Sequence, residues 1–310
     1  MAQEVHVFAP ATVANVACGF DTMGFALNRP GDEIIATFSQ TSGITISIEG
    51  DHGKLPTIPE KNTAGVAALA LLEKLGETRG IHLHIIKGIP IGSGLGSSAC
   101  SAVAAAFAVN ELLGRPLTRK ELLPFALAGE AIASGGAIHA DNVGPCLLGG
   151  MVLVRSNKEN DTVNIPTPNN LFAVAVLPDL QILTSEARAI LRDEIPMKDA
   201  INQWGNLGGL VAGLMKSDYQ LIGRSLVDVV AEPYRSRLIP GFETVKQAAM
   251  NTGALGCSIS GAGPSVFALC EGDATAFQVA SVMEAAFAQH GIKSTRYVST
   301  INQKGTERFR

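Results

Sequence analysis

The sequence predicts an α+β protein made of two domains, and three observations point to this. The chain has 310 residues, which is more than one average domain needs. Hydrophobic residues make up 46% of it and charged residues 17%, enough apolar side chains for a large core. The polar segment 157–170 contains Pro166 and Pro168 and is typical of a junction between domains. We therefore expect one domain over 1–160 and a second over 161–310.

The first domain opens with strands and an amphipathic helix. Residues 44–48 alternate apolar and polar side chains, as a half-buried strand does. Asn62 is a suitable N-cap for the apolar helix that follows, and Gly76 a suitable end. The first forty residues are interpreted as strands interrupted by four positions: Gly19, Gly24, Pro30 and Gly31.

The rest of the first domain is built around a glycine-rich loop. A strand predicted over 81–86 runs into the loop 92–98, and a small apolar helix follows. Thr118 and Glu121 fit a capping box for a third helix, in which Pro124 requires a later start or a kink.

The second domain mixes helices with an antiparallel sheet. Periodicity and turn residues are the basis of this prediction. Strands are expected over 171–177, 254–260, 265–270 and 294–298, and helices over 184–191, 200–216, 217–230, 242–251 and 274–289.

Composition excludes several classes of function. The net charge of −4 offers no reason to expect binding to nucleic acid or to an anionic membrane. The N-terminus lacks the basic and apolar pattern of a signal peptide, and the apolar stretch 99–113 is too short to span a bilayer. Five cysteines without a CxxC pair are interpreted as reduced, buried thiols of a cytoplasmic protein. The six histidines lack HExxH spacing, which disfavours a zinc site.

The run PIGSGLGSSA at 90–99 is the strongest chemical signal. Its glycines allow a ligand close to the backbone, and Ser97 or Ser98 can cap the helix whose first amides attract anions. Amides and hydroxyls suit a triphosphate, and a serine hydroxyl can ligate Mg²⁺. No GK[ST] follows the glycines, as a Walker A loop requires, and a Rossmann loop would open the first βαβ unit. By itself the loop is equally compatible with a plain connector.

Three segments together resemble the GHMP kinases, the family of galactokinase and mevalonate kinase. The motif PxxxGLGSSA is matched at 90–99, the N-terminal motif at 10–21 and the third motif, SISGAGPS, at 258–265. The form of the first motif is similar to that of the branch that phosphorylates L-homoserine, as are HADNVGP at 139–145 and EPYRSRLIPG at 232–241. The resemblance spans nearly the whole chain.

This resemblance implies a fold and an activity. The fold would be the two-domain GHMP kinase fold, with a ribosomal-protein-S5-domain-2-like N-terminal domain and a ferredoxin-like C-terminal domain. ATP, with Mg²⁺, would phosphorylate the side-chain hydroxyl of L-homoserine in the cleft between the domains, on the route to threonine. Partners would be ATP and L-homoserine, with neither nucleic acid nor membrane involved, and the resemblance leaves room for a homodimer.

The resemblance also implies which residues contact the nucleotide. Asn62 is explained equally well as a helix cap, and Lys87 as a solvated strand end. The nucleotide set is Asn62, Lys87, Pro90, Ile91, Gly92, Ser93, Gly94, Leu95, Gly96, Ser97, Ser98, Ala99, Cys100, Gly261 and Gly263.

Magnesium and catalytic roles follow from the same resemblance. Glu130 is a carboxylate in an apolar helix, and it would bind Mg²⁺ together with Ser98. Asp21 would lie near the attacking hydroxyl, and Asp141 is a candidate general base, although positioning and charge stabilisation can make such a base unnecessary. A solvated face for Glu130 and a turn role for Asp21 are the structural alternatives.

The implied substrate set combines both halves of the chain. Arginine's planar fork suits the carboxylate of homoserine, and Arg237 is the local alternative to Arg235 if that segment is extended. The set is Asn15, Asp21, His139, Asn142, Thr184, Arg188 and Arg235.

Two alternatives remain open at this point. One is a GHMP kinase for another alcohol, such as mevalonate. The other is a catalytically inactive ligand sensor on the same scaffold, which would have no need of Glu130, Ser98 and an intact glycine loop.

Overall fold

The computed structural model describes residues 4–133 and 140–309, which form two β-sheets with helices packed against them. The strands of the first sheet are β1 (Glu4–Ala14), β2 (Met23–Ser39), β3 (Ile44–Glu49), β4 (Gly80–Ile86), β5 (Met151–Ser156), β6 (Asp161–Ile165) and β11 (Glu307–Arg308). Within the described residues this sheet has seven strands in the order β11-β1-β2-β4-β3, with β5 paired to β2 and β6 to β5. β3 and β4 run parallel, whereas the other neighbours are antiparallel.

The predicted cap residues do bound the first helix. The side chain of Asn62 accepts a hydrogen bond from the amide of Ala64 at 2.9 Å, and Gly76 ends the helix with a φ of 63°. Alternate residues of β1, such as Val5 and Val7, are fully buried in the core that the sheet shares with the helices. The helices of this half are α1 (Thr63–Leu75), α2 (Ser97–Leu112), α3 (Leu123–Ala133) and α4 (Ala140–Leu148).

The second strand corrects one prediction. Gly24, Pro30 and Gly31 were expected to interrupt it, but β2 continues through all three. Pro10 pairs with Gly31 while Thr12 pairs with Ala26, so residues 27–30 bulge out of the ladder with β1. Because the bulge removes Pro30 from that ladder, its missing N–H costs no hydrogen bond there.

The second sheet is antiparallel, as predicted, and has the ferredoxin-like order. Its strands are β7 (Leu171–Pro178), β8 (Gly256–Ile259), β9 (Val266–Glu271) and β10 (Ser294–Thr300). Their order across the sheet is β10-β7-β9-β8, so β7 lies between β10 and β9, and β8 lies at the edge beside β9. The helices of this half are α5 (Thr184–Ala189), α6 (Met197–Lys216), α7 (Tyr219–Ser225), α8 (Glu232–Arg235), α9 (Phe242–Asn251) and α10 (Asp273–Gln289).

One helix of this half is shorter than predicted. A helix was expected over 217–230, but α7 ends at Ser225. The buried carboxylate of Asp228 accepts the amides of Val230, Ala231 and Glu232 at 2.8–3.0 Å. An aspartate that binds the following amides favours a turn over a continued helix.

The chain crosses between the sheets more than once. β6 lies after the boundary predicted at residue 160, yet it pairs with β5 of the first sheet. β11 also returns to the first sheet from the end of the chain, where it pairs with β1. The division at residue 160 remains a prediction, and at the level of the sheets a single cut does not separate the two halves.

Among the residues described, no helix combines the length and apolar character needed to cross a membrane.

Candidate active site

The glycine loop connects β4 to α2 and is made of left-handed turns. Gly92, Gly94 and Gly96 have φ values of 71°, 75° and 71°. Gly96 is the N-cap of α2 and no side chain caps the helix, so the prediction that a serine does so is wrong. The hydroxyl of Ser97 instead donates to the carbonyl oxygen of Ile89 at 3.0 Å, which closes the base of the loop.

Close packing, as well as backbone conformation, requires these glycines. A Cβ on Gly94 would lie 2.6 Å from the carbonyl oxygens of Ser260 and Gly263. A Cβ on Gly96 would lie 2.2 Å from the hydroxyl of Thr12. Both contacts are shorter than a carbon can make, so the loop fits only without side chains at these positions.

Hydrogen bonds hold the three motif segments together. The Ser260 hydroxyl donates to the carbonyl oxygen of Gly94 at 2.7 Å. The Asn15 amide nitrogen donates to the carbonyl oxygen of Gly261 at 2.9 Å, and the Gly261 amide donates to Ala14 at 3.2 Å. The loop, the N-terminal turn and the turn between β8 and β9 therefore form one wall.

The N-terminal turn has a strained backbone. Asn15, Val16, Ala17 and Asp21 all have positive φ values, between 43° and 70°. A β-branched residue such as Val16 rarely adopts this conformation, and such strain is concentrated at functional sites. The Asn15 side-chain oxygen accepts the backbone N–H of Asp21 at 3.0 Å, which closes the turn between the two residues.

Two arginines from the second half of the chain lie over Phe20 of the N-terminal turn, and one of them pairs with Asp21. Arg188 in α5 makes a bidentate ion pair with Asp21, with N–O distances of 2.7 and 3.0 Å. Arg235 in α8 is 3% exposed and donates to the carbonyl oxygens of Ala187 at 3.1 Å and Gly261 at 2.8 Å. Both guanidiniums lie 5.1 Å from the ring centre of Phe20. Burial lowers the pKa of Arg235, and the nearby Arg188 lowers it further, whereas the charge of Asp21 acts in the opposite direction.

Arg237 lies apart from this pair. The segment that carries Arg235 is helical, so positions two apart do not share a face as they would in an extended chain. Arg237 is exposed and lies over the ring of Tyr234 at 5.9 Å. Of the two alternatives, Arg235 is therefore the one that lines the cavity.

Two carboxylates of the first half, those of Glu130 and Asp141, line the same cavity as Arg235. Glu130 of α3 is 5% exposed and Asp141 is 2% exposed. Asp141 and Asn142 belong to the helix α4. The Asn142 side-chain oxygen accepts the Thr12 hydroxyl at 2.8 Å. His139 lies outside the described residues.

A single cavity brings most of the predicted residues together. Asn62 lines a smaller adjoining cavity, with Leu55 and Ile85. Leu95, Ala99 and Cys100 are fully buried and Pro90 is exposed, and these four do not line the main cavity. The predicted residues that do are Asn15, Asp21, Lys87, Ile91, Gly92, Ser93, Gly94, Gly96, Ser97, Ser98, Glu130, Asp141, Asn142, Thr184, Arg188, Arg235, Gly261 and Gly263.

Sequence reasoning missed several residues of this region. Phe20 and Thr12 stand inside the first motif, so the motif was the signal that could have identified them. Ser101 lines the cavity one helical turn beyond Ser97, and helical spacing could have placed it there. Asp32 is fully buried and bonded to Lys87, and nothing in its local sequence marks it.

Comparison with known proteins supports the motif assignment over both halves. Residues 62–150 match the family model of the GHMP kinases N terminal domain, and residues 210–289 match that of the GHMP kinases C terminal domain. A homoserine kinase of Chlorobium phaeovibrioides is 51% identical over 316 residues, covering 98% of each chain.

Solved structures agree with the described fold. The crystal structure of homoserine kinase from Cytophaga hutchinsonii has a TM-score of 0.97 and 51% identity, covering 100% of this chain and 98% of that chain. A mevalonate kinase of L. major in complex with R-mevalonate has a TM-score of 0.71 at 18% identity, covering 95% of each chain. At that identity the likeness extends to the fold alone.

Proposed function

Because the chain belongs to the GHMP kinase family, on the branch of its homoserine kinases, we propose that it phosphorylates L-homoserine. The terminal phosphoryl group of ATP passes to the side-chain hydroxyl, giving ADP and O-phospho-L-homoserine for threonine biosynthesis. One observation carries this proposal: a single cavity joins a glycine loop suited to phosphates with a pair of arginines suited to a carboxylate.

The phosphates are bound by the loop and by the N-terminus of α2. Gly92, Gly94 and Gly96 have left-handed backbones and no side chains, so a phosphate can approach the backbone of the loop at these three positions. The first amides of α2 are directed toward the loop, and their partial positive charge stabilises the charge of a triphosphate. This anchoring sets the direction from which a hydroxyl must attack the terminal phosphorus.

The carboxylate and ammonium groups of homoserine are held across the cavity from the glycine loop. Arg188 and Arg235 bind the carboxylate through charge-assisted hydrogen bonds, with Asn15, Asn142 and Thr184 beside it. Asp21 lines the same cavity, and its carboxylate is the candidate to orient the hydroxyl. Asp141 is the candidate to accept the hydroxyl proton.

The donor set of the cavity fits a magnesium ion. A buried carboxylate on Glu130 and the hydroxyl of Ser98 line the same space, and Mg²⁺ takes few protein ligands beside phosphate and water oxygens. When bound, the ion neutralises charge on the phosphate oxygens.

The activity is tested by coupling ADP release to a panel of alcohols. With ATP and Mg²⁺, L-homoserine should be turned over far faster than mevalonate or galactose. L-Serine, which is one methylene shorter, should be about 10- to 200-fold poorer in kcat/KM. Equal or faster turnover of mevalonate would assign the chain to another GHMP kinase activity. ADP binding without turnover of any alcohol would support a ligand sensor.

We also propose that the enzyme works in the cytoplasm as a homodimer. Buried, reduced thiols support the compartment, because oxidising compartments favour disulfides. Light scattering on the purified protein measures the mass of the assembly, and a monomer would contradict the proposed dimer.

A further inference from the structure

We infer that Asp32, which lies outside the cavity, is a positioning residue of the nucleotide site and acts through Lys87. The inference rests on the proposed function, since it assumes that the glycine loop binds a nucleotide. Asp32 is fully buried on β2, and Lys87, directly after β4, has a side chain 3% exposed. Lys87 lines the cavity and Asp32 does not.

Four donors converge on the Asp32 carboxylate. One oxygen accepts the amides of Gly88 at 3.0 Å and Ile89 at 3.1 Å. The other accepts the Ser101 hydroxyl at 2.9 Å and forms a hydrogen-bonded ion pair with the Lys87 ammonium. A carboxylate with this many donors is stable in the interior, and it fixes the position of each of them.

The network joins both ends of the glycine loop. Lys87 donates to the carbonyl oxygen of Ser97 at 3.0 Å and to the Ser101 hydroxyl at 2.9 Å, and both acceptors belong to α2. Gly88 and Ile89 lie just before the loop on the other side. A single carboxylate therefore holds the strand end and the helix start at a fixed separation, and this separation sets the span of the loop between them.

The charges of the pair have a second consequence. Lys87 stands between the buried negative charge of Asp32 and the cavity, since Lys87, Ser97 and Ser101 form the lining at this point. Without Lys87, the carboxylate would face the phosphates uncompensated. Asp32 in turn keeps the ammonium in place, so each residue requires the other for nucleotide binding.

A double-mutant cycle tests this dependence, with ADP affinity measured by calorimetry. Asp32→Asn keeps the shape and one acceptor oxygen but removes the charge, and should weaken ADP binding about tenfold or more. Lys87→Met should weaken it further, because it exposes the phosphates to Asp32. The double variant should bind ADP no worse than Lys87→Met, and better if the repulsion is relieved. If the two substitutions acted independently, their fold-changes in the ADP dissociation constant would instead multiply in the double variant.

The kinetic readout separates positioning from general loss of structure. For Asp32→Asn, KM for ATP should rise in step with the ADP dissociation constant, while KM for homoserine should change less than about twofold. Glu111→Gln is the matched control, because Glu111 is a buried acid at the opposite end of α2, paired with Arg115 at 2.8 Å. It should lower Tm and leave ADP affinity unchanged. If Asp32→Asn does not fold, Ser101→Ala removes one shared hydroxyl and should weaken ADP binding several-fold.

The outcomes distinguish the inference from the proposed function. If the unaltered protein does not bind ADP, the proposed function fails. If it binds ADP and the effects of Asp32→Asn and Lys87→Met multiply, or if Asp32→Asn tightens ADP binding, Asp32 does not act by positioning Lys87. An equal rise in both KM values would reduce Asp32 to a purely structural residue and would also overturn the inference.

Discussion

At the scale of single residues, Arg235 is held by geometry that a lysine cannot reproduce. Its guanidinium donates to two carbonyl oxygens and lies over Phe20. Arg235→Lys keeps the charge but loses the planar fork. We expect kcat/KM for homoserine to fall about 10- to 150-fold, the effect of losing a charge-assisted hydrogen bond of about 1.5–3 kcal/mol. Steady-state kinetics with homoserine varied at saturating ATP measure this.

Arg237→Lys is the control for this change, because Arg237 is exposed two positions away. It should leave kcat/KM within about twofold, as expected for a surface substitution. Intact kcat/KM in Arg235→Lys and also in Arg188→Lys would contradict the proposed carboxylate site, and most clearly if Arg237→Lys destroyed activity.

Glu130 permits a test of the proposed magnesium site. Glu130→Gln replaces a buried carboxylate with an amide of the same shape, and an amide is a poor ligand for Mg²⁺. We expect kcat at saturating Mg²⁺ to fall about 100-fold, in line with the loss of one charge-stabilising group from a transition state. The measurement is kcat over a series of magnesium concentrations, with Tm as a check of folding. A variant with normal kcat would show that Glu130 does not bind the ion.

The residues that line the cavity were more predictable than the contacts they make. Asp21 and Arg188 were each selected by motif, but their ion pair joins positions 167 residues apart and depends on how the two sheets meet. The sequence around Asp32 does not distinguish it, because the four donors that bind its carboxylate lie elsewhere in the chain. Contacts of this kind belong to the folded chain and are not encoded in short patterns.

At the scale of elements, the glycine loop is restrained by its neighbours. Gly94→Ala would combine strain at a φ of 75° with a clash against two carbonyl oxygens at 2.6 Å. We expect a loss of roughly 2–5 kcal/mol in the free energy of unfolding, the sum of left-handed strain and overpacking. ADP affinity should also fall, because the loop must move to accept the methyl group. Denaturant unfolding and calorimetry measure the two effects.

Gly114→Ala is the matched substitution just beyond the other end of α2. Gly114 has a φ of 85°, and no atom lies within 4 Å of the added carbon. Only the strain of about 1–2 kcal/mol should appear, with ADP affinity unchanged. Equal effects of the two substitutions on stability and affinity would mean that the packing against Ser260 and Gly263 is unimportant.

Helices with local end signals were predictable, whereas elements defined by distant pairing were not. α1 begins and ends where Asn62 and Gly76 predict, and α9 has the predicted bounds 242–251. β2 continues through Pro30 because a register shift against β1 accommodates it. The helix α4 contains Pro145, a residue that argues against a helix when only local sequence is considered.

At the scale of the whole molecule, all five cysteines are buried. Burial raises the pKa of Cys18 and of Cys270 to about 12, so little reactive thiolate forms near neutral pH. We expect iodoacetamide at about pH 8 to leave the native protein unlabelled and to label every cysteine after denaturation. Mass spectrometry of the intact protein counts the additions. Rapid native labelling would reveal a thiol that is more accessible than the fold implies.

The return of the chain to its first sheet has a consequence for biosynthesis. Val7 and Phe8 of β1 pair with Arg308 and Glu307 of β11, and Leu27 bridges to Ile301. A ribosome releases these late residues only after every strand of the second sheet has been made. During translation the edge of β1 that pairs with β11 therefore stays unpaired. An unpaired strand edge can pair with another chain and so promote aggregation. β11 therefore covers β1 only after the whole second sheet has been synthesised.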